Sequence, residues 1–195
     1  MNIITESCRG LEFKGAADIM MTSRQLFFSG EVNSESVSVL LMDLIALNLE
    51  NPDEEITLYI NSNGGSVKDG LAVYDYLRHM KAPLKTICIG SCASMGSIIF
   101  LAGDTREITP NSTVMLHDPS YGASDIGGKK PHEIQKQVDS LMQTREVLAS
   151  IISERTGRPL EEVYEITKDD SYFSSKEAVS FGLATNIISE IRKEN

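Results

Sequence analysis

The sequence predicts one α/β domain built around parallel strands. Apolar, β-branched runs alternate with segments of helical periodicity through the first half of the chain, in the order β-α-β-α-β-α. Strands separated by helices in this way are joined by right-handed crossovers and lie parallel in one sheet. The length of 195 residues suits a single domain with a sizeable core, with or without a projecting element.

The first half of the chain accounts for three strands and their helices. We expect an irregular arm over residues 1–21, where glycines and an alanine pair interrupt any apolar period. The elements that follow are a strand at 25–28, a helix at 34–49 with Ser34 as its N-cap, a strand at 56–60, a helix ending near Met80 and a strand at 86–89. Because parallel strands end at one edge of a sheet, the glycine-bearing segments after the second and third strands should meet where α/β folds bind ligands.

The second half predicts shorter elements and one long helix. Strands near 106–108 and 113–116 lead to an irregular loop or arm at 118–130, and a helix then runs from 131 to about 155. The remaining elements are a helix at 160–167, a polar loop at 168–171, a helix from the capping box Ser174-x-x-Glu177 to about Gly182, and a strand and tail at 184–191. The long helix exceeds what a small sheet needs for cover, so we infer a projecting element suited to subunit contact.

Composition excludes several classes of partner and location. The formal charge of −10 argues against nucleic acid or an anionic membrane surface, since both reward Lys and Arg. Cys8, Cys88 and Cys92 are an odd number, and the last two lie in apolar surroundings, which fits a reducing compartment. Neither a charged-then-apolar leader nor an apolar run of membrane-spanning length is present. We therefore expect a soluble, cytoplasmic protein.

The segment GSCASMG at 90–96 predicts a tight corner between a strand and a helix. A serine at such a corner presents its hydroxyl away from the sheet, and the first amides of the helix lack intrahelical partners. Ser94 is therefore a candidate nucleophile, with the Met95 amide placed for an oxyanion. The alternative is that Ser94 only caps the helix. Cys92 stands where a G-x-S-x-G elbow would have glycine.

His117 is the candidate general base because it ends an apolar strand and precedes Asp118-Pro119, which stops the strand. A histidine in such a place can instead be satisfied by backbone groups. The acid that would orient His117 must come from a loop, and Asp170 and Asp169 are the best-placed pair. Asp118 should point to the opposite side of the strand.

Other polar residues carry weaker indications. Gly64 and Gly65 could cradle a phosphate, but no following Lys-Ser/Thr supports this, and their amides could equally approach a peptide backbone or an oxyanion. His79 and His132 lie beside charged residues on predicted helices, so we assign both to solvated faces. No pair of cysteines or histidines has the spacing of metal ligands.

Four ordered motifs and a tail segment give the chain a resemblance to a known family. They are YINSNGG at 59–65, ASMG at 93–96, PNS at 110–112, MLHDP at 115–119 and DSYFSSKEAVSFGL at 170–183. These resemble the proteolytic subunit of the Clp protease, the ClpP family of S14 serine peptidases, co-linearly from about 9 to 188. The resemblance implies Ser94 as nucleophile, His117 as general base and Asp170 as its orienting acid. It also implies an oxyanion hole made by the amides of Gly65 and Met95.

The resemblance also implies an architecture and partners. The fold would be a crotonase-like α/β spiral of βαβ units, with an N-terminal axial arm at 1–21 and a peptidase domain at 22–195. The domain would include a handle at about 118–157, whose first part, 118–130, would be the strand that lines the substrate groove. Two stacked heptameric rings, 14 subunits in all, would enclose a chamber in which unfolded polypeptides are cut. An AAA+ unfoldase such as ClpX, ClpA or ClpC would feed the chamber and use the ATP, while the subunit would need no cofactor.

The chain departs from the family pattern at several positions. Asn63 replaces a usual proline, and Ala46, Thr57 and His79 replace aromatic residues that seat the unfoldase loops at the rim. Tyr59 keeps its match. Docking on aromatic pockets depends on buried ring area, so these changes should weaken it. Lys168-Asp169 replaces an acidic residue followed by arginine, and we hypothesise that an ion pair between the rings persists with reversed polarity.

Two other functions remain open from the sequence. The altered rim and ring contacts motivate a catalytically weak structural subunit that needs an active ClpP paralogue in a mixed barrel. A crotonase-type acyl-CoA enzyme would share the glycine-rich amides around an oxyanion, although it would not need the pairing of Ser94 with His117.

Overall fold

Nine strands and seven helices make up the described parts of the chain, in a computed structural model that describes residues 3–7, 10–121 and 128–188. The strands are β1 Ile3–Ser7, β2 Gly10–Lys14, β3 Gln25–Val32, β4 Ile56–Gly65, β5 Leu84–Ala93, β6 Thr105–Ile108, β7 Thr113–Leu116, β8 Ser171–Ser174 and β9 Asn186–Ile187. The helices are α1 Ala16–Thr22, α2 Ser34–Glu50, α3 Val67–His79, α4 Met95–Leu101, α5 Pro131–Thr156, α6 Leu160–Thr167 and α7 Ser175–Phe181.

A seven-stranded sheet organises these elements. Its order is β3-β4-β5-β6-β9, with β7 paired to β5 and β8 paired to β7. The pairs β3–β4, β4–β5, β5–β6, β5–β7 and β6–β9 are parallel, and β7–β8 is antiparallel. The predicted mixed α/β fold with a mostly parallel sheet is confirmed.

Strand β5 changes its neighbour halfway along its length. Residues 85–88 pair with β6, whereas Ser91, Cys92 and Ala93 pair with β7. Between the two halves lies Gly90, with φ +84°, a left-handed conformation that glycine adopts without steric cost. The carboxyl ends of β5 and β7 therefore lie side by side, and the Ser94 amide donates to the Met115 carbonyl at 3.0 Å.

Helix α4 is buried along its whole length. Each large apolar side chain of this helix contributes about 1.5–3 kcal/mol of burial. The carbonyls at its C-terminal end accept hydrogen bonds from three arginines of other elements. Arg155 donates to Leu101 at 2.8 Å, Arg78 to Ala102 at 3.1 Å and Arg106 to Gly103 at 3.2 Å. Burial, followed by the charge of Arg155, lowers the pKa of Arg106 to about 10.

The long helix α5 matches the predicted span closely and ends at Gly157, which has φ +73°. Its buried side chains, Leu148, Ala149 and Ile152, all lie in the C-terminal half. The N-terminal half extends with few buried contacts, as expected of a projecting element. No helix within the described ranges is both long enough and apolar enough to cross a membrane.

The structure corrects several element predictions. The irregular arm at 1–21 is wrong, because β1 and β2 form an antiparallel pair and α1 follows them. The N-cap of α2 is Asn33 and not Ser34, since the Asn33 side chain accepts the amides of Glu35 and Ser36. Glycines 64 and 65 extend β4 as paired residues rather than forming a separate turn.

One strand was not predicted, and other predictions concern residues outside the described ranges. Strand β8 was not predicted, because its residues have the pattern of a polar loop followed by a helix cap. The groove strand expected at 118–130 falls partly on 122–127, outside the described residues, and the described residues on either side are not in a strand. Cys8 also lies outside the described residues. The division into an arm at 1–21 and a domain at 22–195 stays a prediction.

Candidate active site

Ser94 occupies the corner between β5 and α4, as predicted. Its backbone has φ +52° and ψ −124°, a sparsely populated conformation for a residue with a side chain, and such strain clusters at functional sites. Ser94 stands at the N-cap position, but its side chain makes no capping hydrogen bond. Instead the hydroxyl Oγ lies 2.8 Å from Nε2 of His117. The alternative that Ser94 only caps the helix therefore does not explain the position of its hydroxyl.

His117 follows β7 directly and connects two other predicted residues. Its Nδ1 atom lies 3.2 Å from Oδ1 of Asp170, on the opposite side of the ring from Ser94. Asp170 lies at the end of the polar loop before β8, so the antiparallel pairing of β7 with β8 brings it to the imidazole. Of the two acids left open by the sequence, Asp170 is the one that contacts the ring. Its side chain remains 59% exposed.

The carboxyl end of β4 lies against the Ser94 corner. A Cβ atom added to Gly64, which has φ +92°, would lie 2.7 Å from Cβ of Ser94 and 2.8 Å from the Met95 amide nitrogen. Gly65 follows with φ +148°. Met95 is the first residue of α4, so its amide has no partner within the helix. The predicted oxyanion residues Gly65 and Met95 therefore belong to segments that meet beside the hydroxyl.

An apolar pocket lies beside Ser94 and His117. Its apolar walls come from α3, α4, β7 and α5, and they include Val67, Ile98, Leu116, Leu148 and Ile152. The pocket encloses only about 20 Å³, room for no more than a water molecule, so its lining closes the site on this side rather than holding a substrate side chain. Sequence reasoning did not identify this pocket. The apolar stripe of the long helix was the available signal, but the stripe alone does not distinguish a pocket wall from core.

Asp118 points away from the imidazole, as predicted, and lies in a separate polar cluster. Its carboxylate accepts hydrogen bonds from Nε of Arg145 and from the hydroxyl of Thr167, both at 2.6 Å. The Asp118 amide also donates to the Thr167 carbonyl at 2.6 Å. The sequence analysis did not identify Arg145 or Thr167, because 27 and 49 residues respectively separate them from Asp118.

The remaining candidates lie apart from this site. His79 is exposed and its Nδ1 lies 2.7 Å from the Asp75 carbonyl, and His132 is exposed, so both occupy solvated faces as predicted. Cys88 and Cys92 are free and fully buried, and burial raises the pKa of the Cys92 thiol well above its ordinary value. Across the ranges that the structure describes, no three acidic, histidine or cysteine side chains are grouped to hold a metal ion.

Comparison with known protein families gives one result for nearly the whole chain. A family model described as Clp protease matches residues 9–191. The matched region contains Ser94, His117, Asp170 and both glycines of the β4 end. It also contains the long helix α5 and the polar cluster around Asp118.

Proposed function

The chain belongs to the Clp protease family, and on this premise we propose that it is a serine endopeptidase, the proteolytic subunit of an ATP-dependent Clp protease. The observation that carries the proposal is the continuous chain of contacts from the Ser94 hydroxyl to His117, 2.8 Å, and from His117 to Asp170, 3.2 Å. Nucleophile, base and orienting acid in this order define a catalytic triad.

In the proposed reaction, Oγ of Ser94 attacks the carbonyl carbon of the scissile peptide bond while Nε2 of His117 takes the hydroxyl proton. Asp170 stabilises the resulting imidazolium. His117 then gives that proton to the leaving amine as the carbon–nitrogen bond breaks, which leaves an acyl ester on Ser94. Water, activated in turn by His117, hydrolyses the ester and regenerates the hydroxyl. These steps use only side chains of this subunit, so we propose that it requires no cofactor.

The amides of Gly65 and Met95 are the proposed donors to the oxyanion. Glycine at 64 and 65 supports this role, because the Gly64 backbone lies too close to Ser94 and Met95 for any side chain at that position. One such donor contributes about 3–4 kcal/mol to the transition state.

We further propose the assembly implied by the family, two stacked heptameric rings around a chamber that an ATP-driven unfoldase supplies. The exposed apolar side chains Val39, Met42, Ile45 and Leu49 on α2 support burial of that face between subunits. A reducing cytoplasm is the proposed location, and the free, buried Cys88 and Cys92 are compatible with it.

A catalytically weak structural subunit in a mixed barrel is the second candidate. The rim supports it, because Ala46 and His79 are exposed and neither they nor Thr57 offers an unfoldase the large ring of a Phe, Tyr or Trp. The contact between Ser94 and His117 supports the active peptidase instead, and it also disfavours an acyl-CoA enzyme that has no need of this pair.

The deciding experiment treats the purified homo-oligomer with a fluorophosphonate and measures its intact mass. We expect one covalent adduct per subunit on wild type and none on Ser94→Ala, together with a loss of peptide hydrolysis of about 10⁴-fold or more. A wild-type homo-oligomer that is neither labelled nor active would favour the structural subunit.

A further inference from the structure

The carboxylate of Asp118 lies where three segments meet. They are the end of β7, which precedes His117, the end of α6, which precedes Asp170, and helix α5. We infer that Asp118 and Arg145 are positioning residues, which hold His117 and Asp170 in place and couple their alignment to helix α5. The inference rests on the proposed function, since it assigns a role toward the proposed base.

The first link connects the base to the acid. Asp118 follows His117 directly, and Thr167 lies three residues before Asp170. Two hydrogen bonds of 2.6 Å join Asp118 and Thr167, one between backbone groups and one from the Thr167 hydroxyl to Oδ1 of Asp118. A reciprocal pair of this kind fixes both the separation and the relative orientation of the end of β7 and the end of α6. It therefore limits how far Asp170 can move from the imidazole.

The second link connects this pair to α5. Nε of Arg145 donates to Oδ2 of Asp118 at 2.6 Å, and the same guanidinium donates to the Tyr164 carbonyl at 3.3 Å. The guanidinium carbon also lies 4.3 Å from the centre of the Tyr164 ring. Arg145 thus contacts the residue after the base and the helix that precedes the acid. A planar guanidinium can stack on a ring while its N–H groups point to two acceptors in fixed directions, and a compact lysine ammonium lacks this geometry.

The burial of this pair makes it more effective than an ordinary surface ion pair. The side chains of Arg145 and Asp118 are 24% and 29% exposed, so solvent screens their attraction only in part. In contrast, the contact that they would protect is weak. The distance of 3.2 Å between His117 and Asp170 is at the long end for a hydrogen bond, and Asp170 is largely exposed. A small displacement would break it.

It follows that movement of α5 should reach the proposed base. The N-terminal half of α5 buries few side chains and is free to respond to neighbouring subunits, while Arg145 lies just before its buried segment. Removing Arg145 should therefore reduce turnover without changing substrate binding, because Arg145 contacts Asp118 and Tyr164 rather than Ser94 or His117.

The test compares Arg145→Met with Arg158→Met. Arg158 is a matched control, since it also pairs with a carboxylate, Glu162 at 3.3 Å, and lies 4.7 Å from the centre of an aromatic ring, that of Phe181. Among the described residues, its guanidinium donates to the carbonyls of Ser180 and Phe181 rather than to Asp118 or Thr167. For Arg145→Met we expect a fall in kcat of about ten- to a hundredfold at unchanged KM. For Arg158→Met we expect a loss of thermal stability with kcat within twofold.

Asp118→Asn provides a second variant of nearly equal size. It should lower kcat to a similar extent, and the double variant Asp118→Asn/Arg145→Met should be no slower than the slower single variant, since both remove one interaction. Additive losses in the double variant would contradict a shared role. If Arg145→Met and Arg158→Met lose kcat equally, general destabilisation explains both losses and the inference is overturned.

A spectroscopic measurement separates this inference from the proposed function. The chain has 3 histidines, so His79→Gln/His132→Gln leaves His117 as the single source of an imidazole NMR signal. In that background Arg145→Met should shift the signal and Arg158→Met should not, whether or not the protein is active. An unshifted signal in Arg145→Met overturns the inference, whereas a wild type without a fluorophosphonate adduct overturns the proposed function.

Discussion

At the scale of single residues, the choice between two adjacent acids is the sharpest test of the site. Asp170 contacts Nδ1 of His117, and its neighbour Asp169 is exposed at the start of the same turn. Asp170→Asn should lower kcat by about 10³- to 10⁴-fold, because the amide stabilises neither the required tautomer nor the imidazolium. Asp169→Asn, with the same change of charge, should cost far less kcat in a peptide-hydrolysis assay of double rings, which are selected by sedimentation because Asp169 belongs to the hypothesised contact between the rings. Equal losses in the two variants would contradict the assignment.

Two glycines with nearly the same φ test the packing at the nucleophile. Gly64 has φ +92° and Gly30 has φ +90°, but an added Cβ meets Ser94 and Met95 only at Gly64, and meets nothing within 4 Å at Gly30. Alanine should cost about 1–3 kcal/mol of backbone strain at either position. Only Gly64→Ala should also slow fluorophosphonate labelling of Ser94. Unchanged labelling of Gly64→Ala, or equal slowing of Gly30→Ala, would show that close approach is not required.

Sequence reasoning found the residues whose local pattern is distinctive. Ser94 stood out because small residues follow an apolar strand there, and His117 because it ends one. Local pattern could not separate Asp170 from Asp169, since both lie in the same polar loop. Arg145 and Thr167 gave no local signal at all, because their importance comes from contacts with Asp118 that only the folded chain creates.

At the scale of elements, helix α7 shows how charge stabilises a helix start. Ser174 and Glu177 form a capping box, and the hydrogen bond from the Ser174 side chain, followed by that from its amide, lowers the pKa of Glu177 below its ordinary value of 4.5. A lowered folded-state pKa contributes stability above the ordinary value, which is lost as pH falls through the folded-state pKa. Glu177→Gln should therefore lower the melting temperature at neutral pH.

The pH dependence provides the control for this prediction. The difference in melting temperature between wild type and Glu177→Gln should shrink below pH 4.5, where Glu177 itself becomes protonated. Lys176→Gln changes the charge of the adjacent exposed residue and should show no such convergence. A difference that stays constant down to the acid limit would argue against an ionic contribution from the cap.

Element predictions succeeded where periodicity and termination signals agreed. The span of α5 followed from its apolar stripe and from Thr156-Gly157-Arg158-Pro159, which ends it. The antiparallel pair β1–β2 was not predicted, because its sequence contains glycines and mixes polar with apolar residues. Its strands are stabilised by pairing with each other, which a local pattern does not show. Strand β8 was missed for a similar reason, since its four residues form a strand through pairing with β7.

At the scale of the whole molecule, helix α2 is apolar on two faces. Val37, Leu40, Leu44 and Leu47 are buried against the sheet, whereas Met42 and Leu49 on the far side are 63% and 76% exposed. A helix of this kind needs cover on both faces, which fits the oligomer implied by the family. Met42→Glu should therefore give smaller species in sedimentation velocity. Met42→Leu keeps the apolar area and should sediment as wild type does, and full-sized assemblies of Met42→Glu would exclude this face from the interface.

A second prediction concerns contact between the rings. Lys168 and Asp169 are both exposed beside the site, and the hypothesis of an ion pair with reversed polarity gives Lys168 a partner across the ring interface. Lys168→Ala should shift the assembly from double to single rings in a sedimentation measurement, whereas Lys176→Ala, another exposed lysine, should not. An unchanged profile for Lys168→Ala would count against the hypothesis.

Because β5 pairs first with β6 and then with β7, some connections of this chain should tolerate insertions better than others. Strands β6 and β7 pair with successive parts of β5, and residues 109–112 connect them. The length of this connection therefore helps to determine which residues of β5 lie beside His117. An extra residue there that shifted the register of β7 by one would turn the imidazole to the opposite face of the sheet, because side chains alternate along a strand. An insertion at 51–55, between α2 and β4, would change no pairing beside Ser94. Homologous chains of different length should therefore absorb their extra residues away from the 109–112 connection.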